Sequence, residues 1–465
     1  MISFSPLDII LIVLFFVILI IIGIISSKNV KTSSDYILAS RNVGLFLFVL
    51  VNVSVWYGGI LGIGEFTYRY GLLNWLTQGL PYYIFAFLFA IFFAEKIRST
   101  ELYTIPDKIK SIYGEKNALL SALIVFIITS PAPYLLMSAI LIQLIFQIDL
   151  FYSLLISFCL AGLYLIKGGF KATVYTDAFQ FFVMFIGFIV LFGAAYFNLG
   201  GIEYLISNLP SQHLNLTGDT SVGFIVVWFL VALWTFADPG FHQRAYAAKN
   251  VKVAKWGIII SIIFWVIFDF LTTSTGLYAR ASLIDLENPL FAYPLLAEKI
   301  LSSGFKGIFY IGMFATIIST LNSFLFLSAT TLGKDFIYTI LKKNDESLLK
   351  KYISISILIS GVISIFLCLM IPSVVQMWYT IGSLFIPGML VAVISSYYSK
   401  FKVDNDILSA EIIIGILSST IWFLVREKLK GSFLYEIEPM IIGLILILFI
   451  HTVGLIRVRT RNQAE

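Results

Sequence analysis

Three hydroxyl residues lie close together inside one apolar segment of the sequence. Ser319 and Thr320 are adjacent and Thr316 lies one turn earlier, so a helix would place all three on one face. Hydroxyl oxygens suit a hard monovalent cation when carbonyls freed by a broken helix complete its shell. In membrane helices, Ser and Thr also commonly bond back to the carbonyl four residues earlier or join two helices. The hydroxyls alone leave both interpretations open.

Two other apolar segments contain residues that interrupt helices. The segment at 44–68 holds four glycines between residues 58 and 64, and the segment at 221–246 contains Asp-Pro-Gly at 238–240. Proline removes a backbone donor, while glycine tolerates unwound backbone. In hydrocarbon, unwound backbone persists only where protein or a wet cavity satisfies its polar groups. These segments could therefore supply the free carbonyls, although Gly and Pro are also simply frequent in membrane helices.

The elements that must position these residues are membrane helices. The chain has 465 residues, of which 59% are hydrophobic and only 12% charged, and its mean hydropathy is +0.96. A soluble protein of this size needs far more polar surface, so lipid must cover much of the exterior. A spanning helix takes about 20 apolar residues, and about thirteen such segments recur along the chain. The sequence thus predicts an all-α integral membrane protein embedded in the lipid bilayer.

The basic residues indicate how the chain crosses the bilayer. When the connections between segments are numbered alternately, most of the 31 Lys and Arg residues, including Arg244, Lys342 and Lys343, fall on one side. By the positive-inside rule that side is cytoplasmic, which places the N-terminus outside and the C-terminus inside a cell membrane. The net charge of +5 is therefore a topology signal and indicates no nucleic-acid partner.

The two interrupted segments are the second and the seventh of the series. Five segments form each unit, so an odd number of crossings makes the second unit inverted relative to the first. Paired broken helices at matching places in inverted halves indicate a solute site near the membrane midplane. The predicted divisions are a first helix and loop (1–43), a five-helix repeat (44–198), an extracellular loop (199–220), an inverted five-helix repeat (221–398) and two extra helices with a cytoplasmic tail (399–465).

Several short stretches make the sequence similar to a known family. In order they are SDYILASR at 34–41, GGFKATVYTDAFQ at 168–180, QRAYAAK at 243–249, ISTL at 318–321 and KDF at 334–336. Together they resemble the sodium:solute symporter family, whose members carry proline, sugars, sialic acid, pantothenate and other small solutes. The resemblance implies the inverted five-plus-five helix core of the bacterial leucine transporter, with one extra span before it and two after.

The resemblance implies a main Na⁺ site between the first break and the segment that contains the hydroxyls. Its ligands would be the backbone carbonyls of Leu50, Val53 and Thr316 together with the hydroxyls of Ser319 and Thr320. The family usually has Ala at the position of Thr316. The departure matters little, because only the carbonyl would bind there.

Asp177 is an acid close to the cytoplasmic end of the sixth segment. The resemblance places it on the release route of sodium, where some members use it in a second site whose other ligands would correspond to Ser319, Asn322 and Ser323. Asn322 replaces the expected Ser, although an amide oxygen can still coordinate a cation. From the residues alone, Asp177 could instead be an interfacial acid that reaches toward water.

Solute contacts are expected at the two breaks, because aromatic faces with a few polar groups usually line small-molecule cavities. Six residues at or near the breaks are candidates: Trp56, Tyr57, Gln78, Trp234, Asp238 and Trp378. Of these, Trp378 is a candidate for an outer gate. The rings could also belong to an interfacial aromatic belt, because 16% of the chain is aromatic. The sugar-binding residues of the relatives are not reproduced, which disfavours a sugar.

Asp269 lies deep in the eighth segment and fits no rule of the family. It could be a proton site, a partner of Asp238, or an acid misplaced by the predicted segment boundaries. A proton relay there would make H⁺ the coupling ion.

The combined pattern favours a Na⁺-coupled symporter of a small organic solute that works by alternating access and is not an enzyme. A proton-coupled symporter of the same fold and a solute-sensing membrane module are the alternatives. No HExxH or GxSxG motif points to a membrane enzyme, and the two Cys and three His are scattered. No appended signalling domain and no obligate protein partner are evident.

Overall fold

The structure is a computed structural model that describes residues 2–28, 30–341 and 346–464. These residues are almost entirely helical, and their only β pairing is an isolated bridge between Val43 and Ala248. The main helices, numbered in chain order, are α1 (Pro6–Ser27), α2 (Leu45–Ser54), α3 (Ile60–Tyr70), α4 (Leu80–Phe92), α5 (Ile105–Ile128), α6 (Ala132–Phe146), α7 (Leu150–Leu199), α8 (Val222–Ala232), α9 (Pro239–Ala247), α10 (Val251–Ser282), α11 (Ala292–Ile300), α12 (Phe305–Thr330), α13 (Glu346–Met370), α14 (Val374–Tyr397), α15 (Asn405–Arg426) and α16 (Pro439–Ala464). The predicted all-α fold is confirmed.

The number of membrane-spanning helices differs from the predicted value of about thirteen. Within the described residues, eleven helices are long and apolar enough to cross a membrane, or twelve when one bent pair counts as a span. The remaining difference lies in α7, which is 50 residues long and was predicted as two segments, 149–166 and 172–198. A straight helix of that length would measure roughly 75 Å, well beyond the ~30 Å hydrocarbon core.

The chain turns inside α7 at Gly169, where φ is 54° and ψ is −147°. A Cβ at this position would collide with the backbone carbonyl and ring of Tyr36. Glycine is thus required both by the positive φ and by the close approach of the segment after α1. The turn divides α7 into two stretches that are each long enough to cross the bilayer, which explains the difference from the predicted count.

The first predicted break is present between α2 and α3. A short 3-10 turn, Val55–Tyr57, and two glycines separate the helices, whose axes differ by 58°. A Cβ at Gly58 would overlap the side chain of Thr320 on α12. Glycine therefore brings the broken backbone into direct contact with the helix that carries the hydroxyls.

The second predicted break separates α8 from α9. A 3-10 turn, Leu233–Phe236, follows α8, and the chain resumes helical geometry at Pro239. Asp238 caps the new helix, because its Oδ1 accepts a hydrogen bond of 2.9 Å from the Phe241 amide. Proline fits the first helical position, where no backbone donor is needed. The predicted interruption at 238–240 is confirmed. The regular α-helix already ends five residues before Asp238, where the 3-10 turn starts at Leu233.

The helix α12 lies at the centre of the molecule. In its most apolar stretch, 83% of the residues are buried inside the protein, against 22% for α1 and 33% for α15. It packs mainly against α7, while α15 and α16 pack on each other and on α14. At its start, Asp8 of α1 accepts hydrogen bonds of 2.8 Å from the amides of Gly304 and Gly307. The hydroxyls near residue 319 therefore lie in the protein interior rather than toward lipid.

One residue counted among the cytoplasmic charges is buried. Arg244 is only 5% exposed and lies in α9, three residues before the end of the candidate span Val222–Ala247. It is therefore not a loop charge that water surrounds, and the side of the membrane it faces stays a prediction. Lys342 and Lys343 lie outside the described residues.

Candidate functional site between the broken helices

The two adjacent hydroxyls of α12 face the first break. Ser319 Oγ donates to the Ser54 carbonyl at 2.8 Å, and Thr320 Oγ1 donates to the Val55 carbonyl at 2.7 Å. Both hydroxyls also lie near the Thr316 carbonyl, at 3.1 and 3.3 Å. All three α12 residues are buried. The hydroxyls thus bridge the helix to the break, in addition to the local contacts that Ser and Thr commonly make.

The carbonyls that meet these hydroxyls differ from those named from the sequence. Leu50 and Val53 lie in α2 and are 4% and 0% exposed, but the acceptors are the next two carbonyls, of Ser54 and Val55. The Val53 carbonyl accepts from the Val55 amide at the end of α2. Which carbonyls face α12 depends on the rotation of α2, which the sequence motifs do not specify. The assignment of the Leu50 and Val53 carbonyls as ion ligands stays a prediction.

The oxygen cluster has the character of a monovalent-cation site. It combines the carbonyls of Ser54, Val55 and Thr316 with two hydroxyls, so it is rich in oxygen and carries no formal charge. Such a set suits an ion that needs several oxygen ligands but little compensating charge. Among the described residues, no group of three or more His, Cys, Asp or Glu could hold a metal ion.

A second cluster surrounds Asp177 on α7. The acid is 1% exposed, and its Oδ2 has no hydrogen-bond partner among the described residues. With its amide nitrogen toward the acid, Gln180 donates to Oδ1 at 3.3 Å. The burial contradicts the interpretation of Asp177 as an interfacial acid. It requires a partner for the carboxylate or a proton on it.

Asn322 and Ser323 of α12 are buried near the same helix. The Asn322 amide donates to the Tyr164 hydroxyl, and Tyr164 in turn lies within electrostatic reach of Asp177. The Asn322 Oδ1 has no donor among the described residues, and Ser323 is 3% exposed. Two buried oxygens without donors thus occur on the facing helices α7 and α12.

The second break carries charge. Trp234 donates from Nε1 to Asp238 Oδ2 at 3.0 Å, and the Arg244 guanidinium acts electrostatically on the Asp238 carboxylate. Arg244 Nε also donates to Asn52 Oδ1 on α2 at 2.7 Å. The Asn52–Arg244 hydrogen bond therefore connects the two broken helices. Sequence reasoning missed this role of Arg244. The signal that could have shown it is the position of Arg244 in the same interrupted segment, six residues after Asp238.

The aromatic candidates divide into two groups. Trp56 packs its ring against Tyr82 at 5.0 Å and against Trp265 of α10 at 4.9 Å. Tyr57 points into α10, because its hydroxyl donates to the Trp265 carbonyl at 2.9 Å. Trp56 thus packs against rings on neighbouring elements at the first break, whereas the hydroxyl of Tyr57 is fixed on the backbone of α10.

Trp378 of α14 lies over the first break. A Cβ at Gly59 or Gly62 would contact its ring, and Tyr134 packs beside it with ring centroids 5.9 Å apart. Gln78 lies in a π-helical turn, Trp75–Gly79, and its amide nitrogen is buried without a hydrogen-bond partner among the described residues. The structure therefore brings Trp56, Trp378 and the pair Trp234–Asp238 to the breaks, and leaves Gln78 with an unused donor.

A comparison with known protein families shows to which family this chain belongs. The model of the family described as "Sodium:solute symporter family" matches residues 36–413. The chain belongs to the sodium:solute symporter family. Members of this family are membrane-embedded transporters of small solutes, so the resemblance found in the sequence motifs is confirmed.

Individual relatives in the sodium:solute symporter family are distant. Sodium/glucose cotransporter 1 of Oryctolagus cuniculus is 26% identical over 394 residues, which cover 72% of this chain and 59% of the relative. The osmoregulated proline transporter OpuE of Bacillus subtilis (strain 168) is 24% identical over 465 residues, covering 93% of this chain and 92% of the relative. The chain thus spans less than two thirds of the cotransporter but nearly all of the proline transporter.

Solved structures show that the fold is shared. A Na⁺-coupled sialic acid symporter in a substrate-bound outward-open state superposes with a TM-score of 0.80 at 18% identity, covering 97% of this chain and 98% of that one. The nucleobase-cation-symport-1 family transporter Mhp1 in a closed conformation gives a TM-score of 0.57 at 12% identity, covering 93% and 96%. The predicted leucine-transporter-like fold is confirmed.

Proposed function

We propose that this chain is a secondary active transporter that couples the uptake of a small organic solute to Na⁺ by alternating access. The observation that carries the proposal is the contact of Ser319 and Thr320 with the carbonyls at the first break. An ion at this place would bind the two repeats to each other, because the break belongs to the predicted repeat 44–198 and α12 to the repeat 221–398.

The main Na⁺ site would take the hydroxyls of Ser319 and Thr320 and the carbonyl of Thr316. The break would add carbonyls from the stretch between Leu50 and Val55. In the present arrangement the hydroxyl hydrogens point at the carbonyls of that stretch, at 2.7 and 2.8 Å. A cation that enters between them would replace these hydrogen bonds with ion–oxygen contacts. Depending on the rotation of α2, either the Leu50 and Val53 carbonyls or the Ser54 and Val55 carbonyls would complete the shell.

Asp177 supports a second ion position or a release path. Its unpartnered Oδ2 and the unpartnered Oδ1 of Asn322 are buried oxygens, which a passing cation would satisfy. Ser323 and Ser319 on α12 would add neutral oxygens. The chain uses Asn322 where the resemblance leads one to expect Ser, and its amide oxygen supplies an equivalent ligand.

The solute would lie between the breaks. Trp56 and Trp234 provide apolar faces, while Asp238 and Gln78 provide polar groups that fix orientation. Trp378 would close this space on the outer side by its contact with the glycines of the first break. Relatives carry glucose, myo-inositol or proline, and sialic acid is the solute of a structural neighbour. All are small polar molecules, the class of solute that aromatic faces with a few polar groups recognise.

The opposite end is closed by an ion-pair cluster. Lys334 contacts Asp107 at 2.6 Å and Asp335 at 2.7 Å, which joins the end of α12 to the start of α5. With the N-terminus outside, this end faces the cytoplasm. Na⁺ would favour the outward-open arrangement, and bound solute would favour the arrangement in which Trp378 covers the solute site. Each ligand shifts the conformational equilibrium only by binding one state more tightly than the other. Opening of the Lys334 cluster would then release both.

A thermal-shift screen followed by vesicle uptake tests the proposal. The purified chain would be heated with a panel of amino acids, sugars and polyols, each in NaCl and in choline chloride. We expect one solute to raise the melting temperature only in the presence of Na⁺. The labelled solute should then accumulate in proteoliposomes under an inward Na⁺ gradient. Accumulation that is equally strong in choline chloride would contradict sodium coupling.

A further inference from the structure

Three acids are buried in the membrane-spanning part of the described chain near the breaks. Asp177 and Asp238 both lie within electrostatic reach of the Arg244 guanidinium. Asp269 on α10 is 8% exposed and has no cationic partner among the described residues. The resemblance assigns no role to Asp269. Its environment must therefore stabilise a carboxyl group without a countercharge.

The groups that face Asp269 are three phenols from three different elements. Tyr83 of α4 donates its hydroxyl hydrogen to Asp269 Oδ2. Tyr57 and Tyr293 of α11 both lie within electrostatic reach of the carboxyl. No Lys, Arg or His is among the groups that act on it.

Two of these phenols have no hydrogen to give to the carboxyl. The Tyr57 hydroxyl donates to the Trp265 carbonyl at 2.9 Å, and the Tyr293 hydroxyl donates to the Thr272 carbonyl at 2.8 Å. Each phenol has a single hydrogen, so toward Asp269 the Tyr57 oxygen can only accept. The Tyr57 and Tyr293 oxygens therefore offer Asp269 only lone pairs, and neither phenol can stabilise a negative charge on the carboxyl group.

An ionised Asp269 would be poorly stabilised here. It would receive one hydrogen bond, from Tyr83, in a low-dielectric interior, and it would face the lone pairs of Tyr57. A buried carboxylate without a cation and with a single donor takes up a proton instead. The neutral acid keeps the hydrogen bond from Tyr83 and carries no charge that the phenol lone pairs would oppose.

This carboxyl group adjoins both the first break and the π-helical turn. Tyr57 is the last residue of the turn at the first break, so any change at the break displaces a phenol that faces the carboxyl. On the other side, a Cβ at Gly79 would lie 3.2 Å from Asp269 Oδ2, and Gly79 follows Gln78 in the π-helical turn. A movement that separates these two elements would therefore admit water to Asp269.

We propose that Asp269 is a proton-binding site that is occupied in this closed arrangement and is emptied when the first break opens to water. Closing transfers one proton from hydronium to the carboxylate, which leaves water and a neutral carboxylic acid. Opening returns the proton to water. The proton site stands on the geometry of the cluster, and only its effect on transport rests on the proposed function.

The first experiment detects the proton directly. The purified full chain, without solute, is titrated with acid and base while the infrared carbonyl stretch of protonated carboxyl groups is recorded. We expect a band in the wild type that disappears on titration with base, because a buried carboxyl group without a cationic partner holds its proton more firmly than an exposed one. Asp269→Asn should remove it, and Tyr83→Phe should shift its frequency because it deletes the hydrogen bond to Oδ2. The exposed acid Glu203 provides the matched control Glu203→Gln, which should keep the band.

The outcomes of the titration separate the proposal from its rivals. A wild-type difference spectrum identical to that of Asp269→Asn would overturn it, because Asp269 would then be ionised. Unchanged melting temperatures, measured on the same samples, show that both variants are folded. If Asp269→Asn is unfolded, the frequency shift in Tyr83→Phe alone decides, and the absence of a shift counts against the proposal.

The second experiment follows transport. Once a solute is identified, Na⁺-driven uptake in the wild type should fall about tenfold per pH unit at high pH, because each closing step needs one proton. Asp269→Asn mimics the neutral acid and should flatten this decline. Complete loss of uptake by Asp269→Asn at every pH would overturn the proposal in favour of an ionised Asp269 that binds a cationic group of the solute. Na⁺ dependence that persists in all variants would leave the proposed function intact in either case.

Discussion

The two breaks achieve the same interruption of a helix by opposite means. The first uses a 3-10 turn and two glycines, has no side-chain cap at the start of α3, and contacts the hydroxyls of α12 through its carbonyls. The second uses Asp238 and Pro239, and the acid caps the first turn of α9 with its own side chain. One break thus presents bare backbone, and the other presents charged and polar side chains.

This difference indicates that the first break binds the ion and the second binds the solute in the proposed transporter. Neutral carbonyls and hydroxyls can bind a small cation and let it go again, because no full countercharge holds it. At the capped break, hydrogen bonds hold Asp238, Trp234 and Arg244 in a fixed arrangement of charge and aromatic surface, which in the proposed transporter would orient a larger polar molecule. The hydrogen bond between Asn52 and Arg244 links the two regions directly. Changes at the first break should therefore alter ion dependence, and changes at the second should alter solute affinity.

The largest effect is expected from Gly58→Ala. Its Cβ would overlap the Thr320 side chain, so the first break must move away from α12 and the ion site is lost. We expect Na⁺-driven uptake to fall at least about 100-fold, the cost of roughly 3 kcal/mol that overpacking of a tight contact commonly reaches. Gly193→Ala on α7 is the control, because a Cβ there has nothing within 4 Å. Normal uptake by Gly58→Ala would show that the close approach is dispensable.

Removal of the hydroxyls should have the next largest effect. Ser319→Ala or Thr320→Ala deletes one ligand from the proposed Na⁺ shell, so the Na⁺ concentration for half-maximal uptake should rise about tenfold, as for loss of ~1.4 kcal/mol. The solute concentration for half-maximal uptake at saturating Na⁺ should stay within about twofold. Ser364→Ala on α13 is the control, since that hydroxyl only bonds back to the Ser360 carbonyl. If both hydroxyl variants keep the wild-type Na⁺ dependence, the ion site lies elsewhere.

Asp238→Asn tests the second break with a smaller and different effect. Asparagine can still cap α9, so the fold should persist, while the negative charge beside Arg244 is lost. We expect the KM for solute to rise about fivefold, as for loss of ~1 kcal/mol, with the Na⁺ dependence unchanged. Asp238→Ala should in addition lower the melting temperature, because it removes the cap. An altered Na⁺ requirement in Asp238→Asn with unchanged KM would reverse the assignment of the two breaks.

The sequence predicted where both breaks lie but not which groups meet across them. Glycine and proline signals located both breaks, because these residues act on the local backbone. The partners across the breaks were harder, since they depend on helix rotation and packing. The acceptors of the α12 hydroxyls proved to be Ser54 and Val55, and Arg244 was counted as a cytoplasmic charge.

The surroundings of Asp269 show the same limit more clearly. Its three phenols come from the turn at Tyr57, from α4 and from α11, which are far apart in the chain. No local pattern connects them. The sequence could show only that an acid lies deep in an apolar segment, whereas the direction of each phenol hydrogen, which decides the state of the carboxyl, requires the packed structure.

The smallest effect is expected from Trp378→Phe. This variant tests whether Trp378 closes the outer side of the solute site through its contact with the first break. The Trp378 ring contacts the glycines of that break, and a smaller ring would leave a gap without removing any polar group. We expect the KM for solute to rise about threefold, corresponding to less than ~1 kcal/mol, because solute held beneath the ring escapes outward more often. The Na⁺ dependence should stay unchanged, since the α12 hydroxyls lie on a different helix. Trp256→Phe on α10 is the control, because Trp256 is 53% exposed. An equal rise of KM in both variants would mean that the effect is a general consequence of replacing a tryptophan. A rise confined to Trp378→Phe would mean that the first break takes part in both ion binding and the outer gate.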